Sequence, residues 1–207
     1  MAEKNTTVMR IILAAYFLVM LYLANYAIKT EAYTWFWDFS ITFLIGVALY
    51  LLRKRLNLKA EIFLLFMLSL MLHTTGVYGN YTKHFFGISF DHYTHFFASL
   101  GLTMIFFSYV GKYRQISKKK IGFMGLCIIA ILMALGASAL HETVEFTGYT
   151  LLGQDGPNLY FPGDSATAII TADVAGDSNT YNNTMMDILM NMLGATGACI
   201  VIGLRKI

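Results

Sequence analysis

Hydrophobic residues in this chain fall into six long runs, each nearly free of charge and separated from the next by a shorter polar segment. A helix of about 20 apolar residues spans the hydrocarbon core of a bilayer. The runs predict membrane-spanning helices near residues 9–28, 35–52, 60–78, 91–110, 121–146 and 184–203. We therefore predict an all-α polytopic membrane protein in which residues 1–207 form a single transmembrane domain.

The positive charges predict which way the helices cross the membrane. If the N-terminus is cytoplasmic, thirteen of the fifteen Lys and Arg residues lie on the cytoplasmic side, and the two exceptions are Lys29 and Lys83. Short cytoplasmic loops of membrane proteins carry an excess of Lys and Arg. This distribution predicts an N-in/C-in topology with both termini in the cytoplasm.

Composition agrees with membrane insertion and excludes several other classes of protein. The chain is 57% hydrophobic and only 13% charged, with a mean hydropathy of +0.59, whereas a soluble domain carries roughly a quarter charged residues. A soluble enzyme and a disulfide-stapled secreted domain are excluded, and Cys127 and Cys199 are expected to be reduced residues inside spans. The net charge of +3 follows from the basic loops, so we expect membrane lipid and no nucleic acid as a partner.

Ionisable and amide side chains inside the spans concentrate at one end of the predicted bundle. By the topology above, this is the extracytoplasmic end of the fourth, fifth and sixth helices, and all five histidines of the chain lie on that side. Such residues are costly in a membrane and therefore need a partner or a function. The residues concerned are Asp91, His92 and His95, then His141, Glu142 and Glu145, and then Asn183, Asp187 and Asn191.

Spacing places these residues on one face of each helix. Residues three or four apart in sequence are neighbours on a helical surface. The spacing holds for Asp91 with His95, for Glu142 with Glu145, and for the series Asn183, Asp187 and Asn191. Each helix is therefore predicted to present one polar stripe. At a rise of about 1.5 Å per residue, His95, Glu142 and Asn191 lie about 5 to 12 Å inside their helix ends.

Three carboxylates packed together repel one another unless a proton, a cationic histidine or a metal ion neutralises them. Mixed histidine and carboxylate ligands from several helices are typical of divalent metal sites in helical bundles. We expect the ligand residues to converge within about 5 Å of a common point, where Zn, Mn or Fe is bound through bonds of about 2.0 to 2.5 Å. The predicted ligands are His95, Glu142, Glu145 and Asp187, with His141 as an additional ligand, and the predicted outer partners are Asp91, His92, Asn183 and Asn191.

Two other interpretations of the polar cluster stay open at this point. The same residues could form a hydrogen-bonded network that holds three helices together, or a proton relay in a carrier. A carrier is disfavoured because the cytoplasmic halves of helices two, four, five and six carry no ionisable residue before the terminal basic clusters.

Three further features carry smaller expectations. Asp38 follows two tryptophans at the outer interface, where a solvated, cap-like role is expected. Gly194, Gly197 and Ala198 form a small-residue face that predicts close helix packing. Residues 147–183 form an extracytoplasmic loop, which either is solvated or folds over the polar cluster as a lid. Gly163, Asp164, Asp173 and Asp177 in this loop could also bind a cation from outside.

Three segments of the chain resemble a known family. The segment from Phe90 to Phe96, which reads FDHYTHF, the segment ETVEF from Glu142, and the segment NTMMDI from Asn183 followed by Gly194 and Ala195 are similar to the signatures of the YjdF-like inner-membrane proteins. Those signatures are Asp-x-x-x-His-Phe, Glu-x-x-Glu, and Asp-Thr-x-x-Asp before Gly-Ala. The first signature also looks similar to the broader VanZ-like group, as does the spacing Asp-x-x-x-Asn-x-x-Gly of Asp187, Asn191 and Gly194.

The resemblance covers roughly residues 90–200 and implies a plasma-membrane protein of a prokaryote, with Asp91, His95, Glu142, Glu145 and Asp187 at a shared site. Asn183 stands where the family has Asp, and His141 where it has an aromatic residue. The resemblance implies no particular reaction.

Taken together, these features predict an integral membrane protein with an outward-facing metal site in its last three helices. An enzyme acting on a lipid or lipid-linked substrate is the natural use of such a site, with one of Glu142 and Glu145 as ligand and the other as general base. The alternative is a non-enzymatic scaffold or binding protein in which the cluster only packs helices. The sequence leaves the oligomeric state and the enzymatic assignment open.

Overall fold

Six long helices build the described part of the protein. The structure, a computed structural model, describes residues 2–33, 35–117, 121–152 and 178–205. The helices are α1 (Ala2–Lys29), α2 (Trp35–Leu52), α3 (Ala60–Thr74), α4 (Phe90–Ser117), α5 (Phe123–Leu152) and α6 (Ser178–Leu204). Each contains a stretch long and apolar enough to cross a membrane, which confirms the all-α fold with six transmembrane helices.

A short structured segment joins α3 to α4 at the end of the bundle opposite the termini. Two 3₁₀ turns (Thr75–Tyr78 and Asn80–Thr82) lead into a hairpin of β1 (His84–Phe85) and β2 (Ile88–Ser89). Phe86 and Gly87 form its tip and both have positive φ, 54° and 79°, as a tight two-residue hairpin turn requires. The hairpin delivers the chain directly into the first turn of α4.

Contacts at the other end bring the N-terminus, the loop between α2 and α3, and the C-terminus together. The side chain of Asn5 bonds the backbone of Leu58 and Ala60 at 3.3 and 2.7 Å, and Arg205 lies 3.5 Å from Glu61. Both termini therefore share one end of the bundle. The predicted cytoplasmic location of that end stays a prediction.

Helix α4 lies at the centre of the bundle, between α3 on one side and α5 and α6 on the other. Its tightest neighbour is α6, since a Cβ at Gly194 would come within 2.1 Å of the carbonyl oxygen of Phe96. Apolar side chains seal the bundle near the termini, where Phe107 of α4 packs with Leu126, Cys127 and Cys199. The opposite end of α4 is left for polar side chains.

Parts of the predicted loop 147–183 are helical. Helix α5 continues to Leu152 and α6 begins at Ser178, because hydropathy marks where a chain leaves the membrane and not where its helical hydrogen bonding ends. Residues 153–177, which contain Asp155, Asp164, Asp173 and Asp177, lie outside the described residues. The lid and the loop cation site therefore stay predictions.

Candidate functional site

The first two turns of α4 carry a dense group of buried polar residues. Asp91, His92 and His95 are 8%, 8% and 7% exposed. Asp91 and His95 are one turn apart, and the same stripe continues to Ser99 and Thr103, which are also buried. Because these side chains are buried between α4 and its neighbouring helices, the stripe faces protein and not lipid.

One nitrogen of His95 faces two carboxylates. Its Nε2 lies 3.5 Å from Oδ1 of Asp91 and 3.7 Å from Oδ1 of Asp187, a residue of α6 that is only 2% exposed. One ligand atom from each of the three residues lies within 4.8 Å of the others. We refer to Asp91, His95 and Asp187 as the candidate cation site.

The other nitrogen of His95 faces α5 and α6. Its Nδ1 lies 3.1 Å from Nδ2 of Asn191 and 3.6 Å from Oε1 of Glu142. Asn191 is 2% exposed, accepts a 2.7 Å hydrogen bond from Ser99 and also bonds Ser138. These contacts tie α4 to α5 and α6 and fix the plane of the His95 ring, which is the usual role of side chains around a metal-binding histidine.

His92 approaches the candidate cation site from the other side of Asp187. Its Nδ1 lies 2.8 Å from Oδ1 of Asp187, so the imidazole donates a hydrogen bond to the carboxylate when Nδ1 is protonated. Oδ1 of Asp187 therefore lies close to both His92 and His95. Two histidines beside two aspartates limit the net negative charge that this buried group must carry.

The structure groups the residues somewhat differently from the sequence expectation. Asp91, expected as an outer partner, stands beside Nε2 of His95 with Asp187, whereas Glu142, expected as a ligand, faces Nδ1 on the opposite edge of the ring. The reason is geometric: Asp91 shares a helix face with His95, while Glu142 reaches the ring from α5. His92 and Asn191 both contact the expected ligands directly.

Three other predicted residues are placed less closely or not described. The ring centre of His141 lies 6.0 Å from that of His95, so His141 borders the site. The backbones of Glu145 and Asn183 belong to α5 and α6, but their side chains lie outside the part of the chain that the structure describes. Their roles as ligand, base or outer partner stay predictions.

A second polar group, which the sequence pattern did not reveal, lies between α2 and α3. His73 has Oδ1 of Asp38 at 3.6 Å from its Nε2 and the hydroxyl of Tyr81 at 2.8 Å from its Nδ1. The expectation that Asp38 is a solvated cap is wrong, because Asp38 is only 3% exposed and its carboxylate turns inward towards His73. Two lone polar residues on separate spans gave no sequence signal of this pairing.

Comparison with known proteins places the chain in a family but names no activity. No curated protein matches it, and no solved structure matches it. A family model described as "Predicted membrane protein (DUF2238)" matches residues 8–206. This match does not bear on the YjdF-like or VanZ-like resemblance, which stays a prediction. Since the match spans nearly the whole chain, including every residue of the candidate cation site, the protein belongs to this family of predicted membrane proteins.

Proposed function

We propose that the protein binds a divalent cation through Asp91, His95 and Asp187 near the extracytoplasmic face of the membrane, and that it uses this cation to act on a lipid or lipid-linked substrate. The observation that carries the proposal is the convergence of three buried ligand atoms within 4.8 Å. Ligands bound at about 2.0 to 2.5 Å from one ion lie up to about 4 to 5 Å from each other, so the spacing fits.

Charge supports the cation. Asp91 and Asp187 are both more than nine-tenths buried at the depth of a membrane span, where an uncompensated carboxylate costs several kcal/mol. A divalent ion would neutralise both groups at once. One imidazole nitrogen with two carboxylate oxygens suits Zn, Mn or Fe.

Three protein ligands would also leave a coordination position of the cation open for a reaction. Three protein ligands are typical of catalytic metal sites, which keep a coordination position open for water or substrate. A cation in such a site activates a bound water as a nucleophile. Glu142 stands at Nδ1 of His95, so in this proposal it orients the imidazole, and the base role expected of Glu142 or Glu145 passes to Glu145.

A carrier finds little support in the described residues. The polar stripe of α4 ends at Thr103, and the next turn carries Phe107 in the apolar seal with Leu126 and Cys127. A hydrophilic path through the bundle would have to pass this cluster. The polar site is therefore proposed to open to one side of the membrane only.

Elemental analysis of the purified protein tests the cation site. Protein prepared in detergent without chelator is expected to retain close to one equivalent of metal, and Asp91→Asn and Asp187→Asn are expected to lose it because each removes a ligand. Glu142→Gln should weaken retention about 10- to 100-fold, the usual effect of changing an orienting partner.

Asp38→Asn is the matched control for that analysis, since it removes a buried carboxylate from α2 without touching the candidate cation site. It should bind metal as the unmodified protein does. Metal loss in the control, or none in the Asp187 variant, would reject the assigned ligands.

A packing role is the second candidate, and the hydrogen bonds of Asn191 favour it. Asn191 joins α4 and α5 to α6 through Ser99, Ser138 and His95. Interhelical hydrogen bonds of this kind stabilise membrane bundles by about 1 kcal/mol each. In a pure scaffold the protein would keep its fold and its stability when every metal ion is removed.

A further inference from the structure

A cavity of about 240 Å³ lies directly beside the candidate cation site. Five helices, α2 to α6, supply its walls. On the side of α4, α5 and α6 the lining is polar and includes Asp91, His95, His141 and Asn191. The wall formed by α2 and α3 is mostly apolar, with Ile41, Ile45 and Leu70 among its residues. The cavity is therefore amphipathic and borders the metal ligands.

The cavity borders a gap between α2 and α5. Both helices line it, and among the described residues they make no extended contact with one another, whereas α2 packs on α3 and α5 on α4. Ile45, on the α2 side of this gap, is 37% exposed although it lines the cavity. It lies ten residues into α2, about 15 Å from the helix start, which is close to the middle of a hydrocarbon core of about 30 Å. The opening thus faces acyl chains.

We propose that the gap between α2 and α5 is a lateral entrance through which a membrane phospholipid places its polar head against the candidate cation site while its acyl chains stay in the bilayer. This proposal rests on the proposed function, because it assumes that the lipid head binds at the candidate cation site. Phospholipids are the abundant molecules at this depth, and an amphipathic cavity with a few converging polar groups is the usual form of a ligand site.

The volume of the cavity and the chemistry of its walls agree with a lipid that enters only in part. A space of 240 Å³ equals the liquid volume of about eight water molecules, which is far less than a whole phospholipid. A space of this size holds part of the head, and the rest of the lipid would extend past the apolar side chains of Ile41 and Ile45. A substrate that remains partly in the bilayer would not have to be extracted from it.

His73 supplies an ionisable side chain on the mostly apolar wall formed by α2 and α3. It lines the cavity on α3, and its ring lies beside Asp38 and Tyr81. Oδ1 of Asp38 is buried without a hydrogen-bond partner. The nearby imidazole of His73 can offset the cost of burying this carboxylate. A lipid head in the cavity would lie between His73 and the metal ligands.

Photo-crosslinking tests the entrance. The full chain is placed in nanodiscs of phosphatidylglycerol containing a small fraction of the same lipid with a diazirine in one acyl chain near the ester. After illumination, labelled residues are identified by mass spectrometry. We expect label on Leu70 and Leu102, which line the cavity, as well as on Leu132 of α5, which is 63% exposed to lipid and serves as the internal reference.

Substitutions at two neighbouring positions distinguish lipid entry through the gap from lipid contact with the outer surface of the protein. Ile45→Trp should fill the gap and lower labelling of Leu70 and Leu102 several-fold relative to Leu132. Leu44→Trp adds the same side chain at a 63% exposed position that does not line the cavity, and it should leave the ratio unchanged. Ala137→Leu, on the α5 side of the gap, repeats the block independently, and thermal melting shows that each variant is folded.

Absence of label on Leu70 and Leu102 in the unmodified protein, or an equal decrease in the Ile45 and Leu44 variants, would overturn the entrance. Repeating the labelling after chelation, beside metal analysis of the same sample, keeps the two proposals distinguishable. Labelled inner residues in a protein that holds no metal even before chelation would reject the cation site alone. Bound metal without inner labelling would reject the lateral entrance alone.

Discussion

The two nitrogens of His95 have different surroundings. This difference can distinguish a cation-binding role of His95 from a packing role. As the Asn191 amide is placed, its Nδ2 donates to Nδ1 of His95, so the ring proton is on Nε2 and points at Asp91 and Asp187. Rotating the amide by 180° exchanges its donor and acceptor. Nδ1–H then donates to the amide oxygen, Ser99 accepts from the amide nitrogen, and the lone pair of Nε2 can bind a metal ion.

The position of the His95 proton is therefore a direct test. In protein loaded with Zn²⁺ we expect ¹⁵N NMR in nanodiscs to show Nε2 metal-bound and Nδ1 protonated, and we expect chelation to return a proton to Nε2. His95→Gln identifies the resonances, and the exposed His84 is the internal control. A protonated Nε2 both with and without Zn²⁺ would leave only the packing role.

At the residue scale, sequence spacing predicted which residues meet better than it predicted what each one does. The i to i+4 rule brought Asp91 and His95 to one face, and common depth brought Asp187 and Asn191 to them. Sequence spacing could not predict which nitrogen of the imidazole each partner would face, because this depends on how α5 and α6 are rotated relative to α4. The inward turn of Asp38 was missed for the same reason, since its partner His73 is supplied by another helix.

Helices α4 and α6 owe their close approach to small residues on α6. The predicted face contained Gly194, Gly197 and Ala198, and the structure buries Gly194 and Ala198 but leaves open space beside Gly197. Ala195 is also fully buried. The stripe that packs against α4 therefore continues the line of Asp187 and Asn191, so the same face of α6 provides both the helix contact and Asp187 of the candidate cation site.

We predict that Gly194→Ala destabilises the protein, by roughly 1–3 kcal/mol or more, and also weakens metal retention. The added methyl would meet the backbone of Phe96 at 2.1 Å, and relief requires α6 to move away from α4 together with Asp187. Gly197→Ala is the matched control, because no atom lies within 4 Å of its added methyl. Equal thermal melting of the two variants would contradict the close contact.

At the element scale, hydropathy predicted where the helices cross the membrane but not where they end. The second span was expected at 35–52 and α2 runs Trp35–Leu52, whereas α4 was expected to end near 110 and continues to Ser117. Helical hydrogen bonding needs no apolar side chains once the chain has left the bilayer. The hairpin between α3 and α4 was missed because its strands are only two residues long, too short to show an alternating pattern.

On the scale of the whole molecule, the polar cluster, the cavity and the second group around His73 all lie at the end opposite the termini. The described part of the other end is closed by apolar packing around Phe107 and carries basic side chains such as Arg53, Lys54 and Lys112. This asymmetry gives the proposed site one accessible face. Which compartment that face meets depends on the orientation of the bundle.

We predict that the site faces the exterior of the cell, because thirteen of fifteen Lys and Arg residues lie at or beyond the opposite ends of the predicted helices. A cysteine introduced at the exposed His84 should react with a membrane-impermeant thiol reagent added to intact cells. One introduced at the exposed Gln115, near the end of α4, should react only after the cells are opened. The native Cys127 and Cys199 are buried within spans, so the unmodified protein measures the background. Labelling of the Gln115 variant in sealed cells, with protection of the His84 variant, would reverse the orientation and place the candidate cation site on the cytoplasmic side.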